Sequence, residues 1–370
     1  MTQVRSVELR LVGLPLVRPF RTSFGEMTRK ECLLARVETD DAEGWGECVA
    51  GVEPDFSEEW NDGVWLVLRD LLAPALLDAG EVAIDDVERA FGFVRGNPMA
   101  KATLVNAVVD AMLRAERRSL ATFLGAERDR VVCGVSVGIA SEIGRLLEQV
   151  AGYVGEGYRR IKLKIEPGTD VERVRAVREA HPDLALSVDA NAAYRLEDVG
   201  VFRELDAFDL LMAEQPLHHE DLVDHAKLQS RIRTDLCLDE SIRSAAVASA
   251  AIELGACRIV NIKQGRVGGV LEARRVHDVC AAQGVPVWCG GMLETGIGRA
   301  TNLALAAMPN FTLPGDTSAS RRYFDEDLTE PFELAPDGTM AVPTGPGIGV
   351  EPSSDRLQAC TLRVERVEKK

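Results

Sequence analysis

Five charged residues recur along this sequence at an almost constant interval. They are Lys164, Asp189, Glu214, Asp239 and Lys263, and consecutive members lie 25 residues apart, or 24 for the last step. Three carboxylates brought together repel one another unless a cation neutralises them, and a hard ion such as Mg²⁺ prefers oxygen ligands. Two lysines beside such an ion could serve as acid and base toward a proton next to a substrate carboxylate.

Each of these residues alone has a simpler explanation. A carboxylate at the end of a strand is usually a helix N-cap or a surface charge. The K-x-K pattern at 162–164 could be a solvated strand face, and Lys263 could pair with a nearby acid. Five such residues, each at the same place in successive apolar units, favour one shared site instead.

Strand-like and helical patterns alternate from residue 131 onward. Helical patterns cover 142–153, 171–180, 245–254 and 271–283. This alternation predicts a parallel sheet, and eight strands predict a closed barrel whose C-terminal mouth carries the chemistry. An open doubly wound sheet is the alternative, although no G-x-G-x-x-G follows a strand. The predicted strands are 132–137, 158–165, 184–188, 210–213, 235–238, 258–262, 285–289 and 311–313.

The chain before the barrel has a different texture. It is β-rich up to about residue 38 and helical from about 57 to 124, with turn-like loops at 19–25 and 44–56. We predict an α+β capping domain over 1–125 and a barrel over 126–319. The tail, 320–370, is rich in proline and glycine and is expected to fold back onto the capping domain.

Composition excludes several classes of protein. The formal net charge is −16 and the hydrophobic content is 46%, so nucleic-acid binding is not expected. No apolar run approaches the roughly 20 residues that span a bilayer, and the N-terminus lacks the apolar stretch of a signal peptide. The eight cysteines include no C-x-x-C pair, which suits reduced core thiols. We therefore expect a cytoplasmic protein without membrane contact.

The motifs together resemble a known group of enzymes. K-x-K at 162–164, D-A-N at 189–191, E-Q-P at 214–216, D-E-S at 239–241 and Lys263 resemble the muconate-lactonizing subgroup of the enolase superfamily, over essentially the whole chain. The resemblance implies a modified TIM barrel, (β/α)7β, with an N-terminal α+β cap completed by the C-terminal tail. It implies that Asp189, Glu214 and Asp239 bind Mg²⁺, which Mn²⁺ or Co²⁺ can replace, and that Lys164 and Lys263 are the acid and base.

A histidine after the seventh strand would indicate the mandelate-racemase subgroup instead. That strand ends Trp288-Cys289-Gly290-Gly291, and the five histidines lie elsewhere in the sequence. The mandelate-racemase subgroup is therefore excluded.

Four further segments, 20–25, 265–269, 290–296 and 315–318, resemble the o-succinylbenzoate synthase/N-succinylamino acid racemase (N-acylamino acid racemase) family. The resemblance implies that the α-proton is abstracted through an enediolate. The outcome is racemisation of N-succinyl (N-acyl) amino acids, dehydration to o-succinylbenzoate in menaquinone biosynthesis, or both. Dipeptide epimerases and muconate-type cycloisomerases are the alternatives. Dipeptide epimerases carry Asp-x-Asp where this chain has Asp316-Thr317-Ser318, which suits a substrate whose nitrogen is acylated.

Several other residues are candidates for substrate contact. Lys162 shares the inward strand face with Lys164, so it could lower the pKa of a lysine base or contact the substrate carboxylate. Arg266 could tune Lys263, bind neighbouring acids or form a surface salt bridge, and Asp316 could equally be a turn or cap residue. The aromatic residues of the two loops could line a pocket or only pack the loops onto the barrel. The full set is Lys162, Ser136, Asn191, Glu240, Arg266, Gly291, Met292, Phe20, Phe24, Phe56 and Asp316. The expected partners are a small-molecule carboxylate and further copies of this chain in a homo-oligomer.

Overall fold

The computed structural model describes residues 1–22, 25–168 and 170–369. The N-terminal part forms an antiparallel sheet built on a long hairpin. The order of its strands is β14-β1-β2-β3, and β4 pairs with the start of β1. The strands are β1 (Thr2–Thr22), β2 (Gly25–Thr39), β3 (Glu43–Glu47), β4 (Glu81–Val82) and β14 (Thr361–Glu368).

The turn-like loop predicted over 19–25 is largely strand. Phe20, Arg21 and Thr22 continue β1 and pair with Met27, Glu26 and Gly25. Proline lacks the N–H that a ladder needs. The register shifts near the start of β1, between Val4 and Ser6, and again between Pro15 and Phe20, where Pro19 also lies. Two prolines interrupt the hairpin, but the residues beyond them still pair. Phe24, a predicted pocket residue, lies outside the described residues.

Helices pack on one side of this sheet. They are α1 (Asn61–Val67), α2 (Ala73–Asp78), α3 (Pro98–Ala115) and α4 (Leu120–Leu124), with a π-helical turn at Leu68–Leu72 and a 3₁₀ segment at Ile84–Phe91. The long α3 is buried along most of its length. It lies so close to β3 that a Cβ at Gly44 or Gly46 would collide with its backbone. Among the described residues, no helix combines the length and apolarity that a membrane crossing requires.

The described residues beyond 133 include a seven-stranded parallel sheet that curls into a barrel, with strand order β12-β11-β10-β9-β8-β7-β6. Its strands are β6 (Gly134–Val137), β7 (Arg160–Lys164), β8 (Ala185–Asp189), β9 (Ala213–Glu214), β10 (Leu236–Leu238), β11 (Ile259–Ile262) and β12 (Val287–Cys289). The helices between and after them are α5 (Ile143–Glu156), α6 (Asp170–Ala180), α7 (Val199–Leu205), α8 (Leu222–Gln229), α9 (Ala245–Glu253), α10 (Gln264–Val267), α11 (Val270–Ala282) and α12 (Gly296–Ala306).

The eighth strand predicted at 311–313 does not form as a regular strand. Single bridges replace it: Phe311 pairs with Val287 of β12, and Gly315 pairs with Cys133, just before β6. Pro314 lies between them and cannot donate to a ladder. The segment nevertheless touches both edges of the curled sheet and closes the barrel.

The remaining elements tie the tail to the rest of the chain. The predicted strand 132–137 is divided at Cys133, because β5 (Arg130–Val132) turns away to pair with β13 (Thr339–Ala341). The last helix, α13 (Ser354–Cys360), leads into β14, which pairs along β1. The N-terminal sheet is thus completed by the last strand of the chain.

Candidate active site

The three predicted metal-binding carboxylates lie side by side at the C-terminal ends of adjacent barrel strands. Asp189 ends β8, Glu214 ends β9, and Asp239 directly follows β10. The exposed fractions are 1%, 0% and 0%, respectively. The ladder sets Asp189 opposite Glu214, so the even spacing in the sequence becomes a row of acids along the barrel mouth.

The two predicted acid–base lysines lie at opposite ends of this row. Lys164 ends β7 and donates from Nζ to Asp189 Oδ2 at 2.6 Å. Lys263 follows β11 and donates from Nζ to Asp239 Oδ2 at 2.7 Å. Because β8, β9 and β10 lie between their strands, the lysines face each other across the carboxylates.

Lys162 lies deeper in the same mouth. Its Nζ is 2.7 Å from Glu214 Oε2 and 3.2 Å from Asp189 Oδ2, so two acids share one cation. Burial opposes the charged form of Lys162, but three neighbouring carboxylates outweigh burial and hold its pKa well above the usual range. The carboxylates around Lys162 thus favour its charged form.

The acids respond to the same surroundings. Burial and repulsion from Asp189 raise the pKa of Glu214. Burial also acts to raise the pKa of Asp189, but Lys164 and Lys162 overcome it, and that pKa lies below its ordinary value. The row is crowded with negative charge that only neighbouring cations offset.

The donor set of this row fits a hard divalent cation. Mg²⁺ takes carboxylate oxygens readily and keeps positions open for a substrate, and Asp189, Glu214 and Asp239 are the residues that would hold it. A different group, His218, His219 and Glu220, has ligand atoms within 4.8 Å of one another but lies partly exposed after β9. Its imidazole nitrogens suit zinc-like ions better than Mg²⁺. The carboxylate row is therefore the better magnesium site.

Asn191 and Glu240 extend the network around Lys164. Asn191 Oδ1 accepts from Lys164 Nζ at 2.5 Å, and its amide donates to Glu240 Oε1 at 2.9 Å. Asn191 has a left-handed φ of 42°, which asparagine tolerates better than most residues. The turn after β8 thus aims the amide at the lysine.

Arg266, in α10, is buried and not a surface charge. It donates to the carbonyls of Ile242 and Asn261 at 3.0 and 2.7 Å and forms a close ion pair with Asp239. Burial lowers its pKa to about 9. Of the three alternatives predicted for Arg266, the structure excludes the surface salt bridge and places Arg266 on the acid that also binds Lys263.

Asp316 takes part in a buried charge network. Its Oδ2 is 2.7 Å from Lys162 Nζ and its Oδ1 is 2.8 Å from Arg160 Nη2. Burial opposes ionisation, but Arg160 and Lys162 outweigh it and lower the pKa of Asp316 to about 2. The side chain is therefore an ionised partner of two cations and is not needed as a helix cap.

Arg160 is a residue of the site that the sequence analysis did not identify. An arginine at the start of a strand is commonly a surface charge, but this one is fully buried. The available signal was the period of two, because Arg160, Lys162 and Lys164 share one strand face. Extending K-x-K backwards by two residues would have found it.

The remaining predicted residues lie around this network. Ser136 is buried on β6, opposite Lys162 in the ladder. A Cβ at Gly291 would lie 2.9 Å from the Asp316 carbonyl oxygen, so glycine lets the loop after β12 pass close to the backbone of Asp316. Met292, on the same loop, accepts through its carbonyl from the buried Lys30 of β2 at 3.0 Å.

Phe20, at the end of β1, and Phe56, in the loop after β3, have different surroundings. Phe20 packs edge-on against Tyr323, with ring centroids 6.4 Å apart, and Arg322 lies 5.8 Å from its centroid. Phe20 therefore packs the end of β1 against Arg322 and Tyr323 at the start of the tail. The Phe56 ring centroid is 4.7 Å from Lys263 Nζ, so Phe56 reaches the catalytic mouth.

A cavity of about 980 Å³ lies beside this mouth, between the barrel and the N-terminal part of the chain, and the acids and lysines of the row are not among its lining residues. Asn191, Glu240 and Arg266 line its barrel side, and Phe56 and Met99 line its opposite side. A volume of this size accommodates a small organic ligand. The row of acids with its two lysines thus lies next to a cavity large enough for a small ligand, and Asn191 and Arg266 contact both.

Residues 145–356 match the protein-family profile described as "Enolase C-terminal domain-like", and the chain belongs to the enolase superfamily. This confirms the predicted superfamily and fold class. An N-succinylamino acid racemase from Amycolatopsis sp is 58% identical, covering 97% of this chain and 98% of the relative. An o-succinylbenzoate synthase from Geobacillus stearothermophilus is 46% identical, covering 97% and 96%. The crystal structure of an enolase-superfamily member from Listeria innocua superimposes with a TM-score of 0.96 at 41% identity, covering 100% of both chains.

Proposed function

We propose that this enzyme removes the proton α to a substrate carboxylate in the presence of Mg²⁺, through an enediolate. The proposed reactions are racemisation of N-succinyl amino acids and dehydration to o-succinylbenzoate. The observation that carries the proposal is the placement of Lys164 and Lys263 at opposite ends of the buried carboxylate row. The names of the 58% and 46% identical relatives support both reactions.

The two lysines divide the proton transfers. The neutral amine of one lysine takes the proton from the α-carbon, and the ammonium of the other returns a proton to the opposite face, which inverts the centre. Bound Mg²⁺ supplies positive charge where the substrate carboxylate becomes more negative; an enolase-type site with this ion and a lysine base is a known general pattern. Lys162 adds a fixed positive charge on the same side.

Dehydration uses the same first step. When the substrate carries a hydroxyl on the carbon next to the enediolate, the electron pair expels that hydroxyl. An ammonium donates the proton with which it leaves as water. The substrate, rather than a different set of residues, decides between the two outcomes.

The racemase reaction is tested by following α-proton exchange in D₂O by NMR with Mg²⁺ and an N-succinyl-L-amino acid or its D-enantiomer. Lys164→Ala and Lys263→Ala should each abolish racemisation. Each variant should still exchange the α-proton of at most one enantiomer. That enantiomer should be the opposite one in the two variants. Lys227→Ala, which removes an exposed lysine paired with Asp224, serves as the control and should behave as wild type.

Two results would contradict the proposal. Wild-type enzyme that neither exchanges nor racemises the substrate would remove the racemase reaction, and racemisation at the wild-type rate in either lysine variant would remove the two-base assignment. A separate absorbance assay for dehydration of the succinyl-cyclohexadiene carboxylate precursor tests the synthase reaction. No product with wild-type enzyme would limit the function to racemisation.

A further inference from the structure

The most deeply buried cation of the barrel is not one of the proposed metal-binding or acid–base residues. Arg160 has no exposed surface. Its Cζ lies 4.9 Å from the centroid of the Trp288 ring, and its Nη2 donates to the Pro314 carbonyl at 2.9 Å. Burying a charge is costly unless it is paired, and the carboxylate available to Arg160 is Asp316.

Asp316 is held from two sides. Arg160 Nη2 faces Oδ1 at 2.8 Å, and Lys162 Nζ faces Oδ2 at 2.7 Å. Trp288 lies against both cations, since Lys162 Nζ is also 4.7 Å from its ring centroid. The arrangement is a chain in which Arg160 fixes Asp316 and Asp316 fixes Lys162.

The surrounding sequence makes room for this arginine. A Cβ at Gly134, on the neighbouring strand β6, would lie 2.8 Å from Arg160 Cζ, closer than carbon atoms normally approach. Glycine at that position therefore leaves the space that the guanidinium occupies. This packing is independent of the ion pairs and points to the same fixed position for Arg160.

The charge balance of the mouth depends on this chain. Lys162 also contacts Glu214 and Asp189. Without a second cation behind it, Asp316 would therefore compete with the substrate for the positive charge of Lys162. With Arg160 behind it, each carboxylate oxygen of Asp316 lies within ion-pair distance of a cation, although Oδ1 accepts no hydrogen bond among the described residues. The mouth then offers a substrate the cation of Lys162 and no unpaired carboxylate of Asp316.

We propose that Arg160 is a positioning and specificity residue: through Asp316 it holds Lys162, and it makes the mouth prefer a substrate whose nitrogen is acylated over one with a free ammonium group. The proposal rests on the proposed function for the identity of the substrate, and it adds what selects that substrate. Arg160 acts through Asp316 and Lys162 and does not itself touch the reacting atoms.

The test measures binding by calorimetry with Mg²⁺, so it does not depend on turnover. The probes are N-acetyl-L-phenylalanine and L-phenylalanine, which differ in the charge on nitrogen. Wild-type enzyme should bind the acylated probe more tightly. Arg160→Met should lower the ratio of the dissociation constant of L-phenylalanine to that of N-acetyl-L-phenylalanine at least tenfold, which corresponds to about 1.4 kcal/mol. Arg160→Lys, which keeps the charge, should stay near the wild-type ratio.

A double-mutant cycle separates this role from simple packing. If Arg160 acts through Asp316, adding Asp316→Asn to Arg160→Met should return the ratio toward the wild-type value. Independent effects would multiply instead. Arg178→Met, which removes an arginine that binds backbone carbonyls elsewhere, should leave the ratio unchanged.

Several outcomes would overturn the proposal: an unchanged ratio in folded Arg160→Met, no recovery in the double variant, or Arg160→Lys behaving like Arg160→Met. If Arg160→Met does not fold, the same ratio is measured for Gly134→Ala. The added Cβ displaces the guanidinium of Arg160, while every charge remains. An unchanged ratio there would equally reject the role. Failure of the proposed function would show separately, as wild-type enzyme that binds the acylated probe but exchanges no α-proton of an N-succinyl amino acid.

Discussion

Replacing Glu214 by glutamine should separate the stability of the fold from the binding of metal. Glu214 has no exposed surface, and burial together with repulsion from Asp189 raises its pKa. A buried acid with a raised pKa is disfavoured in its charged form, so its contribution to stability falls as pH rises through that pKa. Glutamine carries no charge and avoids this penalty at any pH above that pKa.

The hydrogen bonds of Glu214 can survive the change. Its Oε2 accepts from Lys162 at 2.7 Å and its Oε1 accepts from Asn261 Nδ2 at 2.8 Å. Asn261 Oδ1 has no hydrogen-bond partner among the described residues. If the Asn261 amide turns over, it can accept from the new glutamine NH₂. Without metal, Glu214→Gln should therefore be at least as stable as wild type near pH 8.

Metal binding should respond in the opposite direction. At a Mg²⁺ concentration of 100 times its dissociation constant, the wild-type fold gains about 2.7 kcal/mol. With an unfolding entropy of about 2.1 cal/mol/K per residue, the Tm of a chain of 370 residues shifts by roughly 1.3 °C per kcal/mol, so this raises Tm by roughly 3–4 °C. An amide oxygen is a weaker ligand than a carboxylate, and we expect an affinity about a hundredfold lower in the variant. At the same concentration, its gain then falls to about 0.4 kcal/mol.

The assay is thermal unfolding in EDTA and across a Mg²⁺ titration, for wild type, Glu214→Gln and His219→Ala. His219→Ala is the control because it alters the partly exposed His218, His219 and Glu220 group and leaves the carboxylate row intact. An equal Mg²⁺-dependent rise in Tm for Glu214→Gln and wild type would refute the assignment of the metal site. Loss of that rise in His219→Ala alone would move the site to the histidine group.

Three further changes test other parts of the site. Phe56→Ala removes the ring that lies 4.7 Å from Lys263 Nζ; losing about 1.5–3 kcal/mol of apolar burial should lower kcat/KM for an N-succinyl amino acid roughly 10- to 100-fold, and an unchanged value would remove Phe56 from the pocket. Glu47→Ala deprives three donors at the start of α12 of their acceptor and should cost about 3 kcal/mol of unfolding free energy; chemical denaturation checks it, with the more exposed Glu43→Ala as control. Asp316 has a pKa lowered from 3.8 to about 2, so its ionisation adds about 2 kcal/mol of stability that is present above pH 5 and half lost by pH 3. A stability difference between wild type and Asp316→Asn that stays constant over this range would contradict the ion pairs.

The positions of the five central residues could be predicted from their regular spacing in the sequence. In a parallel βα repeat, residues one repeat apart lie at the same level on neighbouring strands around the barrel. One unit of about 25 residues brings the chain back to the same edge of the sheet, and the structure places the end of β8 beside the end of β9. Strand boundaries were less predictable. The strand predicted at 210–213 is observed only as β9 (Ala213–Glu214), since apolar content alone does not say where a ladder begins.

The eighth strand and Arg160 escaped prediction for different physical reasons. The segment near Phe311 is apolar and reads as a strand, but prolines on both sides remove donors and only single bridges form. For Arg160, the information lay in distant residues. Gly134 provides the space and Asp316 provides the charge, and no local pattern connects the three positions.

The wall of the cavity and the row of acids and lysines come partly from different parts of the chain. The acids and lysines all lie on or directly after barrel strands, whereas Phe56 and Met99, on the far wall of the cavity, come from the N-terminal part of the chain. That part also reaches the barrel loop after β12: Lys30 binds the Met292 carbonyl, and Glu47 accepts from the start of α12. A change in the N-terminal domain can therefore reshape the pocket and shift that loop without moving a lysine. In the proposed reactions, the cavity wall from the N-terminal part and the buried Arg160–Asp316–Lys162 chain would select the substrate, while Lys164 and Lys263 would move the proton.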